Sequence, residues 1–246
     1  MSTRHASHRS EVRLFCLPYA GGTAQSIYRN WDEELPGQVV VHPLELPGRG
    51  RLSHLKPYDN IRDVVEYAAS VIGEHRDRPF AIFGHSMGAL VGFELARHIR
   101  AVTGASPVAL FVSGYAAPQV KRVDKETHTL PDDSLLRKIE RLGGLPPGLT
   151  FDASLLNYLL PVIRADLAVC DTYRYVEREL LGEPIFVFGG INDPIVDVSA
   201  LDHWGDETSA DCVVKTFHGG HFFIDVSRSL VAAAIAEGLR GWAKPS

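Results

Sequence analysis

A serine between two glycines, in residues 84–88 (Gly-His-Ser-Met-Gly), has the residue types and spacing for nucleophilic chemistry. A short apolar run over 79–83 precedes it and predicts a buried strand, and apolar residues at helical spacing follow it over 89–100. A serine on such a sharp strand-to-helix turn is exposed at the top of the sheet, beside a helix N-terminus. The pattern therefore predicts Ser86 as a nucleophile. The alternative interpretation is a glycine-rich turn with a capping serine.

A serine hydroxyl is a poor nucleophile unless a base takes its proton, and two histidines compete for that role. His218 and His221 both lie just after the apolar run 212–217, near the end of the chain. We favour His221, because the two glycines before it let the backbone carry it inward, and His218 stays the alternative. Their spacing also suits two zinc ligands, but no third ligand stands at a suitable distance in the sequence.

The base in turn needs a carboxylate to orient it, and this acid should lie between the serine and the histidine in chain order. The loop after the apolar run 184–188 supplies Asp193 and Asp197. We favour Asp193, which stands on the turn itself before a proline. Asp197 is interpreted as the N-cap of a following helix, and Asp225 lies beyond His221 and is out of order.

Acyl-transfer chemistry also requires N–H donors for a developing oxyanion. One donor is expected from the residue after the nucleophile, Met87, and the second from the loop 19–22, where we choose the N–H of Ala20. The alternative for this loop is a phosphate cradle, but it lacks the glycine pattern and the lysine of nucleotide-binding loops. In a second loop, Arg49 and Arg51 are interpreted as solvated charges, with a substrate or carrier contact as the alternative.

The elements that must position these residues alternate between strand and helix, which predicts a mostly parallel central sheet flanked by helices. The predicted strands span residues 12–17, 38–46, 79–83, 107–113, 184–188 and 212–217. The predicted helices span residues 24–35, 61–74, 89–100, 132–142, 151–163, 165–181 and 222–242.

The alternation is interrupted over 117–182, where helical patterns occur without a convincing strand. This stretch is too long for a simple crossover. We interpret it as a helical lid inserted over the carboxyl edge of the sheet, and a separate small helical domain is the alternative. Residues 1–11 are expected to form a disordered tail, and 12–246 a single domain that carries the lid.

Composition bounds the class of protein. The 246 residues carry a net charge of -5 with no basic footprint, so a nucleic-acid partner is not expected. The three cysteines are too widely spaced for a disulfide framework or a zinc site. The polar first ten residues show no signal peptide. With no signal peptide visible, the expected location is the cytoplasm by default. No uninterrupted apolar stretch of about 20 residues surrounds 84–88, and no membrane partner is expected.

Four motifs together give the chain its resemblance to a known family. They are residues 17–22 (Leu-Pro-Tyr-Ala-Gly-Gly), 46–51 (Leu-Pro-Gly-Arg-Gly-Arg), 84–88, and 219–223 (Gly-Gly-His-Phe-Phe). Over about residues 12–242 the chain resembles the type II thioesterases, stand-alone α/β-hydrolases that accompany polyketide and nonribosomal peptide synthases. The second motif is rare among general α/β-hydrolases and separates this family from ordinary esterases.

The resemblance implies an α/β-hydrolase fold with a mobile helical lid. It implies Ser86, Asp193 and His221 as a catalytic triad, with the N–H groups of Ala20 and Met87 forming the oxyanion hole. It also implies an acyl thioester substrate on the phosphopantetheine arm of an acyl or peptidyl carrier protein, and no metal, nucleotide or other cofactor. The rival functions are a carboxylesterase or acyltransferase of the same fold, and a non-catalytic binding protein.

Overall fold

The computed structural model describes residues 11–75, 77–121, 126–144 and 153–242. Apart from residue 11, the predicted tail lies outside the described residues. In the described part of the chain, six strands form one sheet in the order β2-β1-β3-β4-β5-β6, and every neighbouring pair is parallel. The strands are β1 (Val12–Leu17), β2 (Val39–Pro43), β3 (Phe80–His85), β4 (Leu110–Ser113), β5 (Ile185–Gly190) and β6 (Cys212–Phe217).

Helices cover both faces of this sheet, as the alternating pattern predicts. The helices are α1 (Ala24–Ile27), α2 (Trp31–Glu34), α3 (Ile61–Gly73), α4 (Met87–Thr103), α5 (Asp132–Arg141), α6 (Ala153–Thr172), α7 (Phe223–Val226) and α8 (Arg228–Gly238). Along β1, Leu14 and Cys16 pack with α1, α2 and α8, whereas Phe15 and Leu17 pack with α3 and α4. This two-residue period is the one that a strand buried on both faces requires.

Two predicted helices are each divided in the structure. The segment predicted as one helix over 24–35 forms α1 and α2, because Asn30 between them takes a left-handed conformation with φ 61°. The segment predicted over 222–242 forms α7 and α8. They separate at Ser227, whose hydroxyl donates to the carbonyl oxygen of His218.

The predicted pair of helices over 151–163 and 165–181 is wrong. A single helix, α6, runs through the expected break and ends at Thr172, and the chain from 173 to 180 has no regular secondary structure. The side chains of Arg97 and Arg100 on α4 donate to the carbonyl oxygens of Val176 and Leu180. These two arginines give hydrogen-bond partners to carbonyl oxygens of a segment that is not helical.

Helices α5 and α6 form a small apolar cluster of their own, centred on Leu135, Leu160 and Ile163. They belong to the segment between β4 and β5. In the described residues of 117–182 no strand forms, and a lone parallel bridge joins Leu181 to Thr208. This segment follows the carboxyl end of β4. Because β3 and β4 are parallel, that end lies at the same edge of the sheet as Ser86.

Candidate active site

Ser86 lies on the sharp turn between β3 and α4, in a backbone conformation that few residues other than glycine adopt. Its φ is 54° and its ψ is -120°. The turn is held because the Ser86 N–H donates to the carbonyl oxygen of Ser113 at 2.7 Å, and the Ala89 N–H donates to the Ser86 carbonyl at 2.9 Å. Strain of this kind persists where the surrounding structure fixes it and is typical of functional sites.

The two flanking glycines are required by close approach of the backbone. A Cβ atom on Gly84 would lie 1.9 Å from the carbonyl oxygen of Gly88, and one on Gly88 would lie 2.5 Å from that of Leu17. No side chain fits at such distances. These two glycines therefore allow the close backbone approach on which the turn depends.

Three side chains predicted from distant parts of the sequence meet here in a chain of hydrogen bonds. The Nε2 of His221 lies 2.9 Å from the Oγ of Ser86, and its Nδ1 lies 2.8 Å from the Oδ2 of Asp193. The side chains of His221 and Asp193 are 4% and 1% exposed, so this contact is shielded from water. The other oxygen of Asp193 accepts the N–H groups of Ile195 at 2.8 Å and Val196 at 3.3 Å.

The alternative base, His218, and the alternative acid, Asp197, lie outside this chain of hydrogen bonds. His218 is exposed, and its carbonyl oxygen accepts the hydroxyl of Ser227. Asp197 is also exposed, and its carboxylate accepts the N–H of Ser199 at 2.8 Å at the start of a short 3₁₀ turn. Asp197 thus caps a turn, as predicted, although the element that follows is a 3₁₀ turn rather than an α-helix.

The loop after β1 supplies a tight turn beside Ser86. The Gly22 N–H donates to the carbonyl oxygen of Tyr19 at 3.0 Å, and Gly21 at the third position has φ 76°, as in a type II turn. The N–H groups of the two central residues, Ala20 and Gly21, take no part in that bond. The Gly21 N–H donates to the carboxylate of Asp166 at 2.7 Å. Ala20 lines the same cavity as Ser86 and Met87.

His85 is a site residue that the sequence reasoning missed. Its ring is fully buried, with its centroid 5.1 Å from that of His221, and its Nδ1 lies 2.9 Å from the hydroxyl of Ser113. Burial lowers the pKa of the His85 imidazole well below its usual range, and the neighbouring His221 lowers it further. The ring is therefore neutral at physiological pH. Its position beside the serine was the available sequence signal.

Arg49 is the clearest disagreement between the sequence interpretation and the structure. It is 3% exposed, and its Nη1 and Nη2 lie 2.6 and 2.7 Å from the two carboxylate oxygens of Asp166 on α6. The interpretation as a solvated charge is wrong for Arg49, while Arg51 is exposed as expected. No local signal marks Asp166, because its partner stands 117 positions away in the chain.

The described residues enclose a cavity of about 680 Å³ with Ser86 and His221 in its wall. This volume suits a small organic ligand. Tyr19 also lines it. Burial, and to a smaller degree the carboxylate of Asp225, raises the pKa of Tyr19 to about 12, so its hydroxyl stays protonated. Helices α5 and α6 and the residue after α5 contribute apolar side chains to the wall: Ile139, Leu142, Leu155, Leu159, Ile163 and Leu167.

A family model described as a thioesterase domain matches residues 12–238. The chain belongs to the thioesterase family. This thioesterase is 40% identical over 219 residues to the gramicidin S biosynthesis protein GrsT of Aneurinibacillus migulanus, a match that covers 89% of this chain and 85% of GrsT. The predicted resemblance to type II thioesterases is confirmed, and the protein is a serine hydrolase that acts on thioester bonds.

Two solved structures have the same fold. The RedJ thioesterase from the prodiginine pathway of Streptomyces coelicolor is 38% identical and superposes with a TM-score of 0.87, covering 93% of this chain and 90% of RedJ. The type II thioesterase BorB from the borrelidin cluster is 34% identical with a TM-score of 0.86, covering 95% and 94% of the two chains. With the observed sheet, these matches confirm the predicted α/β-hydrolase fold.

The described residues contain neither a metal-ion cluster nor a helix suited to a membrane. No group of three or more histidine, cysteine, aspartate or glutamate side chains in that part of the chain is arranged to hold a metal ion. Among the helices of those same ranges, none has both the length and the apolar character to cross a membrane.

Proposed function

We propose that this thioesterase removes acyl groups from the phosphopantetheine arm of carrier proteins in polyketide or nonribosomal peptide biosynthesis, with Ser86 as nucleophile, His221 as base and Asp193 as its orienting acid. The observation that carries the proposal is the unbroken hydrogen-bond chain from Ser86 through His221 to Asp193. Such a chain on a sharp strand-to-helix turn is the arrangement that activates a serine hydroxyl.

In the first half of the reaction, His221 Nε2 takes the proton from Ser86 as its Oγ bonds to the thioester carbonyl carbon. The carbonyl π electrons move to oxygen, and the N–H groups of Ala20 and Met87 are proposed to stabilise that oxyanion. The oxyanion then re-forms the carbonyl as the carbon–sulfur bond breaks. The sulfur takes the proton back from His221 and leaves as a thiol, and an acyl-serine remains.

In the second half, a water molecule gives a proton to His221 as its oxygen attacks the carbonyl carbon of the acyl-serine. An oxyanion again forms beside the same two N–H donors. The Ser86 oxygen leaves as its proton returns, and the free acid is released. Asp193 holds the imidazole with its proton on Nδ1, which keeps Nε2 ready to accept. Because the pKa of His85 is lowered, the neighbouring ring adds no positive charge when His221 becomes cationic.

The proposed substrate class is inferred from the lining of the cavity and from the pathways for which similar proteins are named. The apolar wall from α5 and α6 suits the acyl chain, and we propose that the segment 117–182 forms a lid over it. GrsT, RedJ and BorB are named for gramicidin S, prodiginine and borrelidin biosynthesis. Intermediates of such pathways travel as thioesters on carrier proteins, and a stand-alone enzyme of this family would clear stalled acyl groups from them.

The test compares hydrolysis of an acyl-pantetheine thioester with that of the matched oxygen ester. We expect the thioester to be preferred, and acylated carrier protein to be a better substrate than free acyl-pantetheine. A strong preference for the oxygen ester would instead assign the protein as a carboxylesterase.

A labelling experiment tests the serine itself. A fluorophosphonate should label the parent enzyme and the control Ser199→Ala, which changes an exposed serine. Labelling and turnover should both be lost in Ser86→Ala. Labelling that survives in Ser86→Ala would reject Ser86 as the nucleophile.

A further inference from the structure

The ion pair between Arg49 and Asp166 also forms hydrogen bonds to the backbone of the turn at 19–22. Both oxygens of the Asp166 carboxylate bind Arg49, and Oδ2 also accepts the Gly21 N–H at 2.7 Å. Arg49 additionally donates from Nη1 to the carbonyl oxygen of Gly22 at 3.3 Å. One buried pair therefore binds an N–H and a C=O of the turn at 19–22.

Helix α6 also contacts this turn through its apolar surface. A Cβ atom on Gly21 would lie 2.7 Å from Cγ1 of Ile163, so the helix packs directly against the glycine backbone. Ile163 and Asp166 stand three residues apart and share one helix face. The turn is thus held by a steric contact and by a charge-assisted hydrogen bond from the same helix.

We propose that Arg49 and Asp166 are positioning residues, which hold the turn at 19–22 so that the Ala20 N–H serves as an oxyanion donor. The inference rests on the proposed function, because it assigns a role within that reaction. Of the two central N–H groups in the turn, Asp166 takes that of Gly21, which leaves that of Ala20 for the substrate. Asp166 thereby fixes the peptide plane next to the one that carries the donor.

The negative charge of the Asp166 carboxylate strengthens its hydrogen bond from the Gly21 N–H. An ionised acceptor binds a backbone N–H more strongly than a neutral one does, but a carboxylate that is 1% exposed needs a counter-charge. Arg49 supplies it with matching bidentate geometry. The arginine of the 46–51 motif therefore acts on the reaction through Asp166, although it does not line the cavity.

The test uses two double variants that remove the buried charges together, because removal of one partner alone would leave an unpaired charge. Arg49→Met/Asp166→Asn keeps an oxygen that can accept the Gly21 N–H, and Arg49→Met/Asp166→Leu does not. We expect kcat for acyl-pantetheine hydrolysis to be at least about tenfold lower in the leucine variant than in the asparagine variant. KM should change little, since loss of a full oxyanion donor costs about 10²- to 10³-fold in kcat.

A second readout separates positioning from general damage. An acyl trifluoromethyl ketone adds to Ser86 and places an oxyanion in the hole, so its affinity should fall by the same factor as kcat. Arg164→Met is the matched control, because Arg164 lies on the same helix but donates to the carbonyl oxygen of His128 and pairs with Asp132. It should behave like the parent. Equal kcat and equal ketone affinity in the two double variants would overturn the proposal.

A third double variant and a labelling rate test the proposal even if the leucine variant is unstable or the parent hydrolyses no thioester. Arg49→Met/Asp166→Ala is a second acceptor-free variant with a smaller side chain, and it must show the same loss as the leucine variant. If the parent hydrolysed no thioester, the proposed function would fail. The positioning role would still be read from the rate of fluorophosphonate labelling, because the phosphonyl oxygen uses the same donors.

Discussion

Asp193→Asn exchanges one carboxylate oxygen for an amide nitrogen without changing the shape of the side chain. In the parent, Oδ1 accepts the N–H groups of Ile195 and Val196, and Oδ2 faces Nδ1 of His221. The two backbone N–H groups require an oxygen. The asparagine will therefore keep its carbonyl oxygen there and turn its NH₂ group towards the imidazole.

This orientation gives His221 the wrong tautomer. Nδ1 must then accept a hydrogen bond, so the proton of the neutral ring moves to Nε2, the atom that lies 2.9 Å from Ser86. A protonated Nε2 cannot take the serine proton. In serine hydrolases with this geometry the same change lowers kcat by about 10⁴. That factor corresponds to about 5.5 kcal/mol of transition-state stabilisation at 25 °C.

The assay is steady-state hydrolysis of an acyl-pantetheine thioester, with thermal unfolding measured on the same samples. Because the backbone hydrogen bonds to residue 193 are kept, Asp193→Asn should unfold near the parent temperature. Asp197→Asn is the matched control. It makes the same exchange four positions away, on an exposed carboxylate that caps Ser199, and should leave kcat unchanged.

Two results would refute the reasoning. If Asp193→Asn kept kcat within about tenfold of the parent, the carboxylate would not be setting the tautomer of His221. If Asp197→Asn caused the large loss instead, the acid would be misassigned, and the short contact of Asp193 with His221 would have no catalytic role.

Three further predictions follow from the site and its supports. His221→Ala should lower kcat by several orders of magnitude, whereas His218→Ala should be nearly silent; a reversed pair of kinetic results would move the base to the exposed histidine. Gly84→Ala should abolish folding or lower the unfolding temperature sharply, because its Cβ would meet a backbone oxygen at 1.9 Å. Gly73 ends α3 and has open space around it, so Gly73→Ala should instead stabilise the folded chain by up to about 1 kcal/mol. If thermal denaturation gave the two glycine variants equal unfolding temperatures, both of these predictions would be contradicted. Burial depresses the pKa of His85 in the folded chain, so the unfolded chain binds a proton on this imidazole more readily. The contribution of the neutral His85 to folding stability is therefore present above about pH 6.5 and is lost as the pH falls below it. Urea unfolding should show a slope of at most about 1.4 kcal/mol per pH unit from this residue below pH 6.5, and the slope should disappear in His85→Gln; an unchanged slope would assign it to other groups.

The sequence predicted the parts of the site that local pattern encodes. Residues 84–88 carry their own geometric requirements, because the strand, the sharp turn and the helix are contiguous and the glycines mark where backbones meet. Chain order placed the acid and the base in two late loops. The turn at 193 and the two glycines before 221 then favoured Asp193 and His221, which the structure brings within hydrogen-bond distance. Strands β1 and β6 begin and end at the predicted residues, since their apolar runs are sharply bounded.

Tertiary contacts decided the rest. The segment 173–180 has a helical pattern in sequence but is irregular in the structure, where Arg97 and Arg100 of α4 bind two of its carbonyl oxygens. Whether Arg49 is solvated or buried cannot be read from its neighbours in sequence, because the answer depends on Asp166 arriving from a distant helix. Periodicity and turn chemistry are properties of a few adjacent residues, and the sequence alone determines them. The removal of a charge from water depends on which elements pack together, and only the folded chain decides it.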